Sequence, residues 1–103
     1  MIKHINSAAE FDAEIQNNKS VLVDFFATWC GPCKMLAPVL EGMDNKGLLN
    51  DTLVLKVDVD EVADLARRFG IQSIPTLILF KDGKIAKSDL GYKNENQLVE
   101  FIK

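Results

Sequence analysis

Two cysteines separated by two residues are the part of this sequence best suited to chemistry. Cys30 and Cys33 are the only cysteines of the chain and lie in the segment Trp29-Cys30-Gly31-Pro32-Cys33-Lys34. An apolar run precedes them and a helical pattern follows, so they fall near the junction of a strand and a helix. A bridge closing so short a loop adds little stability, which favours reversible disulfide chemistry over a structural role.

The position of each thiol predicts its role. The unpaired N–H groups and the positive dipole end of a helix N-terminus favour a thiolate. Cys30 stands at that end and is expected to be partly exposed, so we predict that it attacks a target disulfide. Cys33, one turn further in, is expected to be more covered and to resolve the mixed disulfide. The alternatives are half of a metal site, although the only histidine is the distant His4, and a pair of incidental core cysteines.

An acid interrupts the apolar strand that leads to the thiols. Asp24 lies among Val, Leu and Phe residues, and a carboxyl buried there would have a raised pKa and could exchange a proton with a nearby thiol. Lys56, in a neighbouring apolar run, is a candidate partner. A solvent-facing position stays open for both residues, since Asp and Lys are rarely fully buried.

Two further residues have open interpretations. Trp29, next to a reactive thiol, is predicted to form a partly exposed binding surface, with a core position as the alternative. Pro75 follows Ile74 at the start of a strand, and an X-Pro bond is trans by default. Gly91-Tyr92 by itself indicates a turn.

Hydrophobic periodicity and helix-capping residues predict the helices and strands that must position these residues. Helices are predicted from a Ser7–Glu10 capping box to about residue 17 or 18, from 31 or 32 to about 43 with a kink at Pro38, from an Asp60 cap to Gly70, and from an Asn94–Gln97 cap onward. Apolar runs predict strands over residues 2–5, 20–27, 53–59, 76–81 and 84–90, the last two joined by an Asp82-Gly83 hairpin.

This order predicts an α/β fold. The arrangement βαβαβαββα places a parallel βαβ half before a β-hairpin, giving a mixed central sheet with helices on both faces. The run over 20–27 is apolar nearly throughout, which is typical of a central parallel strand.

Size and charge narrow the function classes. A chain of 103 residues is expected to form one domain over residues 1–103. Its net charge of −3 argues against nucleic acid or an anionic membrane as the main partner. Acidic residues near the start argue against a signal peptide, and no apolar run is long enough for a membrane helix. We therefore expect a cytoplasmic monomer with no metal or cofactor.

Taken together, these residues resemble the thioredoxin family over essentially the whole chain. The segment Trp29 to Lys34 matches the family's active-site sequence, and a CxxC beside a βαβ pattern is a general indicator of that family. Asp24 and Lys56 match its buried acid and partner lysine, and Pro38 matches its helix kink. Ile74-Pro75-Thr76 matches the loop that the family holds beside the dithiol with a cis proline, and Gly83 and Gly91 fall on family glycines.

The resemblance implies a protein-disulfide reductase that is re-reduced by an NADPH-dependent thioredoxin reductase. It assigns Cys30, Cys33, Asp24 and Lys56 to catalysis, and it implies that Pro75 is cis. The implied substrate-binding residues are Trp29, Gly31, Pro32, Ile74, Pro75, Gly91 and Tyr92. The dipeptide Gly31-Pro32 indicates a reductant, because oxidising relatives usually carry a histidine there.

Two positions depart from the family pattern. Phe26 replaces a frequent second tryptophan, and Tyr92 stands where a small residue is common, so its ring is expected to narrow or extend the groove. The alternative function is a redox-independent, thioredoxin-fold binding subunit of a larger complex. The cysteine pair and Asp24 argue against it, because a binding subunit would not need them.

Overall fold

A computed structural model of the chain describes all residues from 1 to 103 and contains five strands and four helices. The predicted order βαβαβαββα is confirmed. The elements are β1 Ile2–His4, α1 Ala8–Asn17, β2 Ser20–Phe26, α2 Gly31–Asn45, β3 Leu53–Asp58, α3 Ala63–Arg68, β4 Thr76–Lys81, β5 Lys84–Leu90 and α4 Glu95–Phe101.

The strands form one mixed sheet in the order β1-β3-β2-β4-β5. Strand β2 is central, as predicted, but it is parallel only to β3 and runs antiparallel to β4 on its other side. The Asp82-Gly83 turn joins β4 to β5 as an antiparallel hairpin, and both of its residues have positive φ, 52° and 80°. Such angles belong to the type I′ turn that this dipeptide favours.

Helices cover both faces of the sheet, as expected for its buried strands. Because strand side chains alternate between faces, Val23 and Phe25 of β2 pack with Phe11 of α1 and Leu65 of α3. Leu22 faces the opposite side, in a second cluster whose helical members come from α2 and α4: Leu36, Leu40, Met43 and Leu98. Asp24 directly follows Val23 in β2, so its side chain points to the opposite face of the sheet, which α2 covers.

Three of the four predicted caps are confirmed and one is wrong. Ser7 accepts the N–H of Glu10, Asn94 and Gln97 form a reciprocal capping box, and Gly70 follows α3 with φ +63°. Asp60 does not cap α3. That helix starts two residues later than predicted, at Ala63, and has no side-chain cap. The Asp58 carboxylate instead accepts the N–H groups of Asp60 and Glu61, which holds this segment as a turn.

Helix α2 extends to Asn45, two residues beyond the predicted end, and contains Pro38 in its interior. None of the four helices combines the length and the apolar composition that crossing a membrane requires.

Replacing Phe11 by Ala tests the α1 face of the core. The Phe11 ring is buried between Phe69 and Phe80, with centroid distances of 5.5 and 6.0 Å. We expect the free energy of unfolding in urea to fall by about 3–5 kcal/mol, because the substitution leaves a cavity. Phe101→Ala, at a half-buried ring, is the matched control and should lose clearly less. Equal losses would contradict this description of the core.

Candidate active site

The two cysteines lie where β2 ends and α2 begins. Cys30 is the N-cap residue of α2, and its sulfur accepts the backbone N–H of Cys33 at 3.2 Å. Gly31 and Pro32 form the first helical positions, where the missing N–H of proline has no helical partner to lose. Cys30 and Cys33 are joined by a disulfide, with 5.2 Å between their Cα atoms. In the reduced state the same N–H and the helix dipole would stabilise a Cys30 thiolate.

The predicted difference in exposure between the thiols is wrong. Cys30 is 5% exposed and Cys33 is 3% exposed, so both are buried in this disulfide form. Cys30 is covered because Phe26, Val59 and Ile74 pack against the small cluster that the two cysteines form with Ala27. The roles of the two sulfurs must therefore be assigned from their positions on the helix.

A loop with a cis peptide bond lies against the Cys30 sulfur. The Ile74–Pro75 bond is cis, as the family resemblance implied, and the Ile74 carbonyl oxygen lies 3.8 Å from the Cys30 sulfur. The Pro75 carbonyl accepts the N–H of Gly91 at 2.8 Å, and Gly91 has a φ of +87° that favours glycine. This bond places the Gly91 turn, with the exposed Tyr92 after it, beside the loop.

Trp29 lies on the surface beside the dithiol and is 68% exposed, so the core interpretation is wrong. Its indole Nε1–H donates a hydrogen bond to Asp60 Oδ2 at 2.9 Å. Asp60 was predicted only as a helix cap. Parallel strands β2 and β3 end at the same edge of the sheet, and this topology brings the residues after them together. That topological signal could have identified Asp60 as a neighbour of the site.

Asp24 and Lys56 form a buried ion pair. They are register partners in β2 and β3, and Lys56 Nζ lies 2.6 Å from Asp24 Oδ2. Asp24 is completely buried, and its second oxygen, Oδ1, has no hydrogen-bond partner. Lys56 Nζ also lies 4.7 Å from the centroid of the Phe26 ring. The solvent-facing interpretation is therefore wrong for both residues.

Burial raises the pKa of the Asp24 carboxyl above its ordinary value, while the charge and hydrogen bond of Lys56 oppose this shift. A cavity of about 260 Å³ reaches both Lys56 and Cys33 and is also lined by Phe26 and His4. This cavity, which the sequence did not reveal, lies behind the dithiol and connects the surroundings of the ion pair with those of Cys33. The arrangement suits exchange of a proton between Cys33 and the ion pair.

The described side chains contain no group of three or more His, Cys, Asp or Glu residues placed to hold a metal ion. The site is built from a dithiol, a buried ion pair and three further segments at one edge of the sheet. These segments contain Trp29, the Ile74–Pro75 bond and Gly91.

Comparisons with known proteins point to one family. A family model described as Thioredoxin matches residues 2–103. A thioredoxin of Mycoplasmoides gallisepticum is 44% identical over 104 residues, which cover 99% of this chain and 100% of that protein. A thioredoxin of Chlamydia muridarum is 54% identical over 82 residues, covering 80% of this chain and 78% of that protein.

The solved structures agree with the sequence relatives. The structure of Plasmodium falciparum thioredoxin superposes with a TM-score of 0.88 at 40% identity, covering 98% of this chain and 99% of that one. The fold is therefore the thioredoxin fold, as the sequence predicted.

Replacing Asp24 by Asn should change how stability depends on pH. Folding raises the pKa of the Asp24 carboxyl. The carboxyl therefore contributes its full stabilisation below the ordinary Asp pKa of about 4, and this stabilisation is lost as pH rises through the raised pKa. The stability of Asp24→Asn relative to the parent should therefore increase with pH, by at most about 1.4 kcal/mol per pH unit. Urea unfolding of the disulfide form between pH 4 and 9 measures the difference.

Asp89→Asn is the matched control. Its hydrogen bonds with Lys93 and the Leu90 N–H lower the Asp89 pKa, so its contribution to stability is lost as pH falls. That loss lies below about pH 4, so the relative stability of this variant should stay nearly constant between pH 4 and 9. A pH-independent difference for Asp24→Asn would show that its pKa is not raised.

The bond from Trp29 to Asp60 should restrain the indole ring. Trp29 is the only tryptophan, so its fluorescence anisotropy decay reports this one side chain. We expect Asp60→Ala to enlarge the fast component of that decay, whereas Asp60→Asn keeps an oxygen acceptor and should change it less. Glu61→Ala, at an exposed neighbour, should have no effect. Identical decays for the Ala variant and the parent would mean that the bond does not restrain Trp29.

Proposed function

This chain belongs to the thioredoxin family, and on that premise we propose that it reduces disulfides in other proteins and is re-reduced by an NADPH-dependent thioredoxin reductase. The chain has the Cys30–Cys33 pair of a protein disulfide oxidoreductase. The observation that carries the proposal is the position of Cys30, which caps α2 and lies 3.8 Å from the Ile74 carbonyl of the cis-proline loop. A reactive sulfur there adjoins a surface on which a target chain can lie.

The reaction has two exchanges. The Cys30 thiolate attacks one sulfur of a target disulfide, forming a mixed disulfide and releasing the other target sulfur as a thiolate. Cys33 then gives up its proton and attacks the Cys30 sulfur. The second target thiolate leaves, and the Cys30–Cys33 disulfide forms. Two electrons pass to the target, and its two thiolates take up two protons.

Asp24 is proposed as the proton acceptor for Cys33 in the second exchange. A carboxyl with a raised pKa is closer to neutrality, where transfer to and from a thiol is efficient. Lys56 holds the carboxyl at 2.6 Å and, with Cys33, lines the cavity of about 260 Å³. We propose Lys56 as a positioning residue, with solvent in that cavity completing the proton path.

The substrate surface is proposed to consist of seven residues at the edge of the sheet. Trp29 and Tyr92 are exposed there, and Gly91 is bonded to the loop that touches Cys30. The proposed set is Trp29, Gly31, Pro32, Ile74, Pro75, Gly91 and Tyr92. Every group in this mechanism belongs to one chain, so we propose that a monomer of this single domain suffices.

A reductant of this kind works where the glutathione and reductase systems keep thiols reduced. We therefore propose that the chain acts in the cytoplasm and contributes to electron transport toward protein disulfides and to redox homeostasis. Membership of the thioredoxin family supports a thioredoxin reductase as the electron donor.

Reduction of insulin tests the function. With dithiothreitol, and then with NADPH and a thioredoxin reductase, the parent protein should accelerate insulin precipitation well above the uncatalysed background. Cys30→Ser should abolish the acceleration, because the attacking sulfur is lost. Cys33→Ser should accumulate a covalent adduct with insulin through Cys30, detected by mass spectrometry, because the resolving step is lost.

Two results would contradict the proposal. Adducts formed by Cys30→Ser through Cys33 would reverse the roles of the sulfurs. A Cys30→Ser, Cys33→Ser double variant with full function in cells would favour the redox-independent binding subunit.

A further inference from the structure

The cavity beside Lys56, called here the Lys56 cavity, is much larger than proton transfer requires. Its volume is about 260 Å³, whereas a single water molecule needs only about 10–15 Å³. It lies between helix α2 and the edge strand β1, on the α2 face of the sheet. None of the seven residues proposed to bind substrate lines it, so a bound target chain leaves this space to another molecule.

We infer that the Lys56 cavity binds a small neutral phenol, a single aromatic ring with one hydroxyl group, and that the bound ring slows the second exchange. The binding goes beyond the proposed function, whereas its effect on the second exchange rests on that function. A cavity of about 150 Å³ is enough to hold benzene, so about 260 Å³ accommodates one substituted ring.

The walls of the cavity favour an aromatic ligand. Most of the lining surface is apolar, and its larger contributors are Ile2, Phe26, Ala37 and Leu40. Phe26 is half-buried, and its ring already meets the His4 ring edge to face at a centroid distance of 6.3 Å. A ligand ring can pack against Phe26 in the same manner, which adds to the gain from burying its apolar area.

Lys56 provides a polar anchor within this apolar lining. Its side chain is 7% exposed, and its ammonium group has three N–H donors, one of which bonds to Asp24 at 2.6 Å. The other two donors are free to bond a ligand oxygen. Asp24 Oδ1 has no hydrogen-bond partner, so the ion pair also contains an acceptor. A hydroxyl group matches both, because it accepts and donates.

The charges around the cavity select a neutral ligand. The cations Lys34 and Lys56 both line it and would repel an organic cation. Glu41, exposed at the mouth, would repel an anion, and the Lys56 charge is already paired with Asp24. A carboxylate would also lose its hydration among apolar walls, which costs far more than burying a hydroxyl group.

The position of the cavity explains why only one exchange should slow. Cys33 lines the cavity, whereas Cys30 does not and has its sulfur 3.8 Å from the Ile74 carbonyl of the cis-proline loop. A ring in the cavity would take the place of the solvent proposed to carry the Cys33 proton. It would leave the attack of Cys30 on a target unobstructed.

Fluorine NMR with three related probes tests the binding. The probes are 4-fluorophenol, fluorobenzene and 4-fluorobenzoate, titrated at pH 7 into the disulfide form of the protein. We expect 4-fluorophenol to bind with a Kd of about 1 mM or below. It should bind at least about threefold tighter than fluorobenzene, the factor that one net hydrogen bond supplies. It should bind at least about tenfold tighter than the charged 4-fluorobenzoate.

Substitutions on two walls locate the bound ring. Ala37→Leu extends a side chain from α2 into the cavity, and Phe26→Trp enlarges the ring on the opposite wall. Each should weaken 4-fluorophenol binding by about tenfold or more, because the space for the ligand is filled. Ala13→Leu is the matched control, since it makes the same change at an exposed residue of α1 and should bind like the parent.

Single-turnover reactions with a disulfide peptide, quenched by acid and measured by mass spectrometry, separate the two exchanges. Saturating 4-fluorophenol should change adduct formation by Cys33→Ser by less than about twofold, because this variant performs only the first exchange. Release of the peptide from the mixed disulfide of the parent should slow by about threefold or more, because proton transfer from Cys33 is hindered. Release by Ala37→Leu should not respond to the phenol.

The outcomes separate the inference from the proposed function. Equal affinity of 4-fluorophenol for the parent and both wall variants would overturn the inference, because the ring would then bind elsewhere, for example at the exposed Trp29. Unchanged release at saturating phenol would overturn the effect on the second exchange. A protein that forms no adduct with the peptide would overturn the proposed function, while the NMR titrations would still decide whether the cavity binds a phenol.

Discussion

Strand β2 pairs with β3 on one side and β4 on the other, and the location of every part of the site depends on these two pairings. β2 and β3 are parallel, so their C-terminal ends bring Cys30 and Asp60 to the same edge. β4 is antiparallel to β2, so its beginning, after Pro75, reaches that edge too. The hairpin then returns Gly91 to Pro75 through a 2.8 Å hydrogen bond. Segments far apart in sequence therefore meet around one sulfur.

The same pairings bury an ion pair, and removing its two charges from water opposes folding. Asp24 faces Lys56 across β2 and β3, and Oδ1 of the carboxylate has no hydrogen-bond partner. Removing charges from water costs several kcal/mol per ion, and a hydrophobic pair of similar volume is often at least as stable. Core packing gives no reason for an acid at this position. A proton-transfer role gives one, because burial raises the pKa of Asp24 toward the range in which a thiol titrates.

Most of the fold was predictable because its signals are local. The Asp82-Gly83 turn, the Asn94–Gln97 box and the apolar run of β2 each specify a short segment without reference to the rest of the chain. The cap of α3 was mispredicted because Asp58 and Asp60 make other bonds. The Asp58 carboxylate accepts the N–H groups of Asp60 and Glu61 and holds them in a turn, and Asp60 Oδ2 accepts the indole N–H of Trp29.

The site was predictable only in part, because its geometry is set by distant packing. The spacing of Cys30 and Cys33 identified the dithiol, but the burial of Cys30 depends on Val59 and Ile74, which come from other elements. The cis state of Pro75 came from family resemblance, since the local default is trans. The cavity at Lys56 is a space between elements, which no residue pattern encodes.

The cavity at Lys56 and the cis-proline loop are separate parts of the site. The cavity on the α2 face is lined by Cys33 and Lys56, the groups proposed to act after a target is attached. The loop adjoins Cys30, whose sulfur lies 3.8 Å from the Ile74 carbonyl, at the place where a target is proposed to lie. Because the proposed proton chemistry and the proposed target contacts involve different residues, we expect target choice to vary through the loop without a change in the proton path.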